Sequence, residues 1–141
     1  MNLALFLSLL SLSAALPASA PPKAGPCLKY EPEIVVLAGT MKRHNFPGPP
    51  NYESVRNGDA LEVYWLLHLA KPVCVESLTQ QERVNEPETG VSSIQILISG
   101  YGQYRHLLGK RVKVTGTLFH QITGHHHTKV LINASNIEPA P

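Results

Sequence analysis

The fold of this chain is decided by residues 109–132, which read Gly109-Lys-Arg-Val-Lys-Val-Thr-Gly-Thr-Leu-Phe-His120-Gln-Ile-Thr-Gly-His-His-His-Thr-Lys-Val-Leu-Ile132. Polar and apolar residues alternate from Arg111 to Phe119, which predicts a strand with one buried face. A second strand is predicted from Lys129 to Ile137. The residues expected to face the core are Val112, Val114, Gly116 and Leu118 in the first strand, and Val130, Ile132 and Ala134 in the second. The stretch therefore predicts a β-hairpin, and its loop carries three consecutive histidines.

Three earlier segments also have strand character, at residues 33–41, 61–69 and 93–99. A short helical pattern from Tyr101 to Gly109 separates the third strand from the fourth. The order is therefore three strands, a short helix and two strands. This order predicts an all-β protein with one short helix, folded as a small five-stranded, OB-fold-like Greek-key barrel. A split sandwich or an α+β roll are the alternatives.

The two ends of the chain differ from its middle. Residues 1–20 hold an apolar run from Leu3 to Leu12 followed by Ala18-Ser-Ala20, which predicts a signal peptide and a periplasmic or secreted protein without a membrane span after cleavage. Residues 21–32 are rich in proline and predict an extended lead-in. We expect a single domain over residues 33–137 and an open tail at residues 138–141.

The chain has two cysteines, Cys27 and Cys74, which allow only one pairing. In an exported protein this pair predicts a disulfide. Because no Cys-x-x-Cys motif is present, we expect the bond to be structural, without a redox function.

The charge balance argues against nucleic acid as a partner. The formal net charge is +2, from 12 basic and 10 acidic residues, and aromatic residues make up only 6% of the chain. Binding of single-stranded nucleic acid requires a basic groove with stacking aromatic residues.

The histidines of the hairpin are the first candidate site. Neighbouring strand residues point to opposite faces, so His120, His125 and His127 could converge while His126 points away. Such a cluster would suit zinc, copper or nickel, with Glu53 or Asp59 as an acidic ligand. The alternative is that these histidines are turn residues that bond to the backbone and pack at the end of the barrel. We expect no resident cofactor unless this cluster binds one of these metals.

The Pro-rich loop, Phe46-Pro-Gly-Pro-Pro-Asn-Tyr52, is the second candidate site. With Arg43 and His44, its aromatic residues could form one wall of a groove, at the place where OB-folds bind extended ligands. The residues expected to contact a partner are Phe46, Tyr52, Glu53 and His126. The leading hypothesis is a monomeric, non-enzymatic module that binds an envelope protein, a peptide or a glycan, and the alternative is a transition-metal-binding protein. A rigid loop that only packs over an open barrel end is equally compatible with these residues.

Catalytic motifs do not support an enzyme. No serine lies in a Gly-x-Ser-x-Gly or Ser-x-x-Lys motif, and there is no His-Glu-x-x-His. A metal-dependent hydrolase built on the three histidines stays open as a third reading.

Two motifs carry a family resemblance: Phe46-Pro-Gly-Pro-Pro-Asn-Tyr-Glu-Ser54 and Thr123-Gly-His-His-His-Thr128. Together with Lys71-Pro-Val-Cys74, Leu107-Leu-Gly-Lys110 and Val114-Thr-Gly-Thr-Leu-Phe-His120, they resemble a bacterial family of exported proteins known as domain of unknown function 4431. The resemblance covers about residues 30 to 137. It implies an exported, single-domain protein and supplies no catalytic residues.

Overall fold

The computed structural model describes residues 25–77 and 85–141. The predicted signal peptide lies outside these residues. In the described residues there are six strands: β1 (Leu28–Lys29), β2 (Ile34–Pro47), β3 (Leu61–Glu76), β4 (Glu88–Leu97), β5 (Arg111–His120) and β6 (Val130–Pro139). The helix α1 (Tyr101–Tyr104) is followed by a 3-10 turn at Arg105–Leu107.

Five of the strands form a closed ring of hydrogen bonds. β2 pairs with β3 on one side and β5 on the other, β5 pairs with β6, and β4 joins β6 to β3. All these pairings are antiparallel except that of β4 with β6. The all-β class with one short helix, inferred from alternation and element order, is confirmed; the finer assignment to an OB-fold-like barrel stays a prediction.

The core lies inside this ring. Its fully buried members come from the alternating faces of several strands: Met41, Leu67, Ile94, Ile96, Val112, Val114, Leu118, Val130 and Ile132. Every inward position predicted in β5 and β6 is buried. This agreement follows from the two-residue period of a strand, because one solvated face and one buried face must alternate along the chain.

Several strands are longer than their sequence patterns suggest. β2 continues to Pro47 because its second half pairs with β3 after its first half has paired with β5. His44 and Phe46 therefore lie in a strand, although the sequence analysis placed them in or beside a loop. β6 likewise extends to Pro139, into the segment predicted to be an open tail.

The lead-in is attached to the ring at two points. β1 pairs in parallel with the end of β3, where Leu28 lies opposite Val75. One residue later, Tyr30 is fully buried. Cys27 and Cys74 form the predicted disulfide, with their Cα atoms 4.7 Å apart.

None of the helices in residues 25–77 and 85–141 is long and apolar enough to cross a membrane.

Candidate functional site

The carboxylate of Glu62, near the start of β3, joins the histidine loop to the ring. Its Oε2 accepts a hydrogen bond from Nε2 of His127 at 2.9 Å, and its Oε1 pairs with Nδ1 of His125. An ionised carboxylate can only accept, so both facing ring nitrogens carry a proton. One side chain therefore fixes two of the three consecutive histidines.

Aromatic contacts join the histidine loop to the Pro-rich loop. The Phe46 ring stacks on His127 with centroids 4.1 Å apart and an angle of 2° between the planes. Tyr52 meets His125 edge-on at 5.5 Å, and the Tyr52 hydroxyl lies 3.3 Å from Nε2 of His125. A Cβ on Gly124 would lie 2.9 Å from Cζ of Tyr52, so a larger residue there would displace the Tyr52 ring. We call the combined surface of Phe46, Tyr52, Glu62, His125 and His127 the joined-loop surface.

A buried glutamine holds the backbone of the same loop. Gln95, on β4, has no exposed surface. Its side chain donates to the carbonyl of His125 at 3.0 Å and accepts from the N–H of His127 at 2.6 Å. The loop is thus held by its side chains through β3 and by its backbone through β4.

Asp59 shapes the Pro-rich loop. Its carboxylate accepts from the backbone N–H groups of Asn51, Glu53 and Ser54 at 2.9, 2.8 and 2.7 Å. These bonds hold the pKa of Asp59 below its ordinary value. The sequence analysis offered Asp59 or Glu53 as an acidic partner for the histidines, but the contacts of Asp59 are to its own loop and Glu53 is exposed. The histidines are paired instead with Glu62 and, in the case of His120, with Glu88.

His126 has different contacts from its two neighbours. Its Nδ1 accepts from the N–H of Ile122 at 2.8 Å, and its ring lies edge-on to Phe119 at 5.5 Å. Burial and the nearby charges of His125 and His127 lower its pKa. These contacts stabilise the turn. For His126 they agree with the alternative interpretation of the sequence, in which the histidines are turn residues that bond to the backbone.

His120 belongs to a second group at the other end of the loop. Its Nε2 lies 2.9 Å from Oε1 of Glu88. Glu86 is close by, and one ligand atom from each of Glu86, Glu88 and His120 lies within 4.8 Å of the other two. The structure therefore does not gather His120, His125 and His127 around one carboxylate: His120 pairs with Glu88, and the other two pair with Glu62.

The pKa values in this second group reflect its charges. The hydrogen bond from His120 lowers the pKa of Glu88 against the opposing effect of burial, and Lys129 lowers it further. Burial and the negative charges of Glu88 and Glu86 raise the pKa of Tyr30 to about 12. The Tyr30 hydroxyl therefore stays protonated and donates to the carbonyl of Glu86 at 2.8 Å.

A cleft of about 430 Å³ lies beside the joined-loop surface. It is lined by two arginines, three aromatic residues and two aliphatic ones: Arg43, Arg105, Tyr64, Trp65, Tyr101, Val63 and Leu108. Tyr64 belongs to both regions, since its ring also lies 5.5 Å from that of His127. Sequence reasoning named only Arg43 of these residues as part of a groove.

We expect Glu62→Gln to lower the free energy of unfolding by about 1 kcal/mol at pH 7, because two hydrogen bonds lose their charged acceptor. Burial acts to raise the pKa of Glu62, but the bonds from His127 and His125 outweigh it, so its pKa lies below the ordinary 4.5. A carboxyl whose pKa is lowered by folding stabilises the protein above its unfolded pKa, and this contribution is lost as the pH falls through the folded pKa.

Denaturant unfolding at pH 7 and at pH 3 measures this effect. The difference between wild type and Glu62→Gln should shrink at pH 3, where protonated Glu62 resembles glutamine. Glu33→Gln, at an exposed site, should show no such change. An equal difference at both pH values would contradict the assigned role of Glu62.

Part of this chain matches a known family model. A search of curated proteins finds no match to it. The family model described as Domain of unknown function (DUF4431) matches residues 93–138, which include the second half of β4, α1, β5, the histidine loop and nearly all of β6. The match gives no evidence of catalysis. It begins at residue 93, whereas the resemblance noted in the sequence extends to about residue 30. Over residues 93–138, the segment that holds the histidine loop, the resemblance to DUF4431 noted from the sequence motifs is therefore confirmed.

Proposed function

We propose that this protein is an exported, non-enzymatic module that binds an acidic peptide segment of a partner protein through the joined-loop surface and the adjoining cleft. The observation that carries the proposal is the continuity of the two regions through Tyr64, which lines the cleft and contacts His127. Export is supported by the signal-like residues 1–20 and by the disulfide, a bond typical of oxidising compartments.

The residue types of this surface are those of protein-binding sites. Tyrosine, tryptophan and arginine carry most of the binding energy in known interfaces. Here Arg43 and Arg105 are exposed at the cleft, and Tyr64 and Tyr101 are half-buried in it. Two guanidinium groups beside aromatic rings favour a carboxylate as the group bound in the cleft.

The surface is also ordered before any partner arrives. Glu62 and Gln95 fix the histidine loop, and Asp59 fixes the Pro-rich loop. Binding to a pre-ordered surface loses less conformational entropy than binding to a mobile one. Three apolar side chains on or beside these loops are exposed and available for contact: Val55, Leu61 and Ile122.

Photo-crosslinking tests this proposal. A benzophenone side chain replacing Tyr52, in protein returned to an extract of the source cells, should crosslink to one protein species. The matched control carries the same group in place of Ile34, which is 70% exposed at the opposite end of β2. We expect little or no crosslinking from position 34.

Charge reversal then tests the role of the cleft. Arg105→Glu should reduce the yield from position 52 several-fold, whereas Lys71→Glu, an equal charge change at an exposed site towards the far end of β3, should leave it unchanged. Equal crosslinking from positions 34 and 52, or equal effects of the two charge reversals, would overturn the proposal.

A further inference from the structure

We propose that Glu86, Glu88 and His120 bind one divalent transition-metal ion, with Zn²⁺ as the ion that fits best. This site is separate from the joined-loop surface and uses only one of the three histidines expected as ligands from the sequence. Imidazole nitrogen and carboxylate oxygen are both ordinary ligands of zinc. The three side chains come from the end of β5 and from the start of β4 and the residues before it.

His120 is oriented as a metal ligand would be. The residue is only 8% exposed, and its Nδ1 lies 3.3 Å from the carbonyl oxygen of Gln121. A carbonyl only accepts, so Nδ1 carries a proton and Nε2, on the side of Glu88, is the ring nitrogen placed to bind an ion. A ligating histidine commonly donates its other ring N–H to a carbonyl or carboxylate in this way. The ion would take the place of the proton that Nε2 shares with Oε1 of Glu88, 2.9 Å away.

The backbone that carries Glu86 is tied to His120. Asn85 is only 3% exposed, and its side-chain oxygen accepts the backbone N–H of His120 at 3.0 Å. The Tyr30 hydroxyl donates a hydrogen bond to the backbone carbonyl of the next residue, Glu86, at 2.8 Å. These contacts keep the Glu86 backbone next to the end of β5, so the ligands are close to each other before an ion arrives.

The distances suit a small ion. With bonds of roughly 2.1 Å, tetrahedral ligands lie roughly 3.4 Å apart. The ligand atoms of this group are within 4.8 Å of one another, and Glu86 is exposed, so a rotation of its side chain can close the difference. Three protein ligands leave the fourth tetrahedral position to water.

Lys129 competes with the ion for Glu88. Its ammonium lies 3.4 Å from the Glu88 carboxylate, and its side chain is 69% exposed. The lysine can therefore move into solvent when a metal binds. Removing it takes one positive charge from the site, so we expect Lys129→Ala to bind Zn²⁺ several-fold more tightly than wild type.

Calorimetric titration of the untagged protein with zinc chloride tests the site. We expect wild type to bind one equivalent, and Glu86→Gln to bind at least tenfold more weakly. Glu86 is exposed, so this variant should fold normally, which circular dichroism checks. His120→Gln should abolish binding, but His120 is buried, so this substitution can also disturb folding.

Two controls separate this site from others on the protein. Glu33→Gln removes another exposed carboxylate and should bind zinc as wild type does. The double variant His125→Ala, His127→Ala should also keep its zinc affinity, because those histidines pair with Glu62. Absence of saturable zinc binding by wild type, or binding kept in Glu86→Gln but lost in the double variant, would overturn the proposal.

Discussion

Replacing both cysteines, Cys27→Ala with Cys74→Ala, is expected to lower the free energy of unfolding by about 4 kcal/mol. The bond closes a loop with a sequence separation of 47 residues, and this value follows from the entropy that such a loop loses in the unfolded chain. The bond also holds β1 against β3 beside the buried Tyr30. Denaturant unfolding of oxidised wild type and of the double variant measures the difference.

Reduced wild type is the matched control, since it lacks the bond but keeps both side chains. It should unfold at the same denaturant concentration as the double variant. A double variant within about 1 kcal/mol of oxidised wild type would show that the bond does not stabilise the ring as described.

Gly39→Ala is expected to cost about 3 kcal/mol, because the added methyl group meets backbone on a neighbouring strand. Gly39 pairs with Leu69 on one side and with Val112 on the other, where β2 is flanked by both β3 and β5. A Cβ there would lie 3.0 Å from the carbonyl carbon of His68 and closer still to its oxygen. A backbone carbonyl cannot rotate away as a side chain can, so the strands must separate.

Gly102→Ala provides the comparison. No atom lies within 4 Å of a Cβ built on Gly102, in α1, and alanine favours a helix over glycine by roughly 0.5–1 kcal/mol. Thermal or denaturant unfolding should therefore find Gly102→Ala as stable as wild type or slightly more so. A Gly39→Ala variant as stable as wild type would contradict the close approach of β2 and β3 at this position.

The sequence predicted those parts of the fold in which one strand face is buried. In β5 the alternation of Val112, Val114 and Leu118 with polar residues identified both the strand and its inner face. The second half of β2 was missed, because Pro47 and the following prolines resemble a loop. This part of the strand forms only because β3 pairs with it, and such a long-range pairing cannot be read from the local sequence.

The sequence identified the histidines as candidate site residues but did not identify the carboxylates that contact them. Convergence of His120, His125 and His127 required residues 125–128 to extend the second strand of the hairpin, so that His120 would lie opposite them. β6 begins at Val130, one residue after the predicted start, and Val130 is the residue opposite His120. The histidines at 125 and 127 therefore lie in the loop, where they contact Glu62, and His120 contacts Glu88.

Glu62 and Glu88 gave no signal in the sequence. Glu62 is a polar residue at the start of the predicted strand 61–69, and Glu88 precedes the predicted strand 93–99, so the role of each depends on which strands the ring brings together. Glu62 is the second residue of β3 and Glu88 is the first of β4, the two strands whose side chains contact the histidine loop and His120.

The central claim is that the Pro-rich loop and the histidine loop form one surface. Nuclear Overhauser contacts between ring protons of Phe46 and His127 and between those of Tyr52 and His125 test it most directly, because the ring centroids are 4.1 and 5.5 Å apart. We expect both contacts in the wild-type protein at pH 7 without any ligand. Absence of both, with the core contact between Trp65 and Tyr101 present, would show that the loops are apart in a folded protein and would contradict the claim.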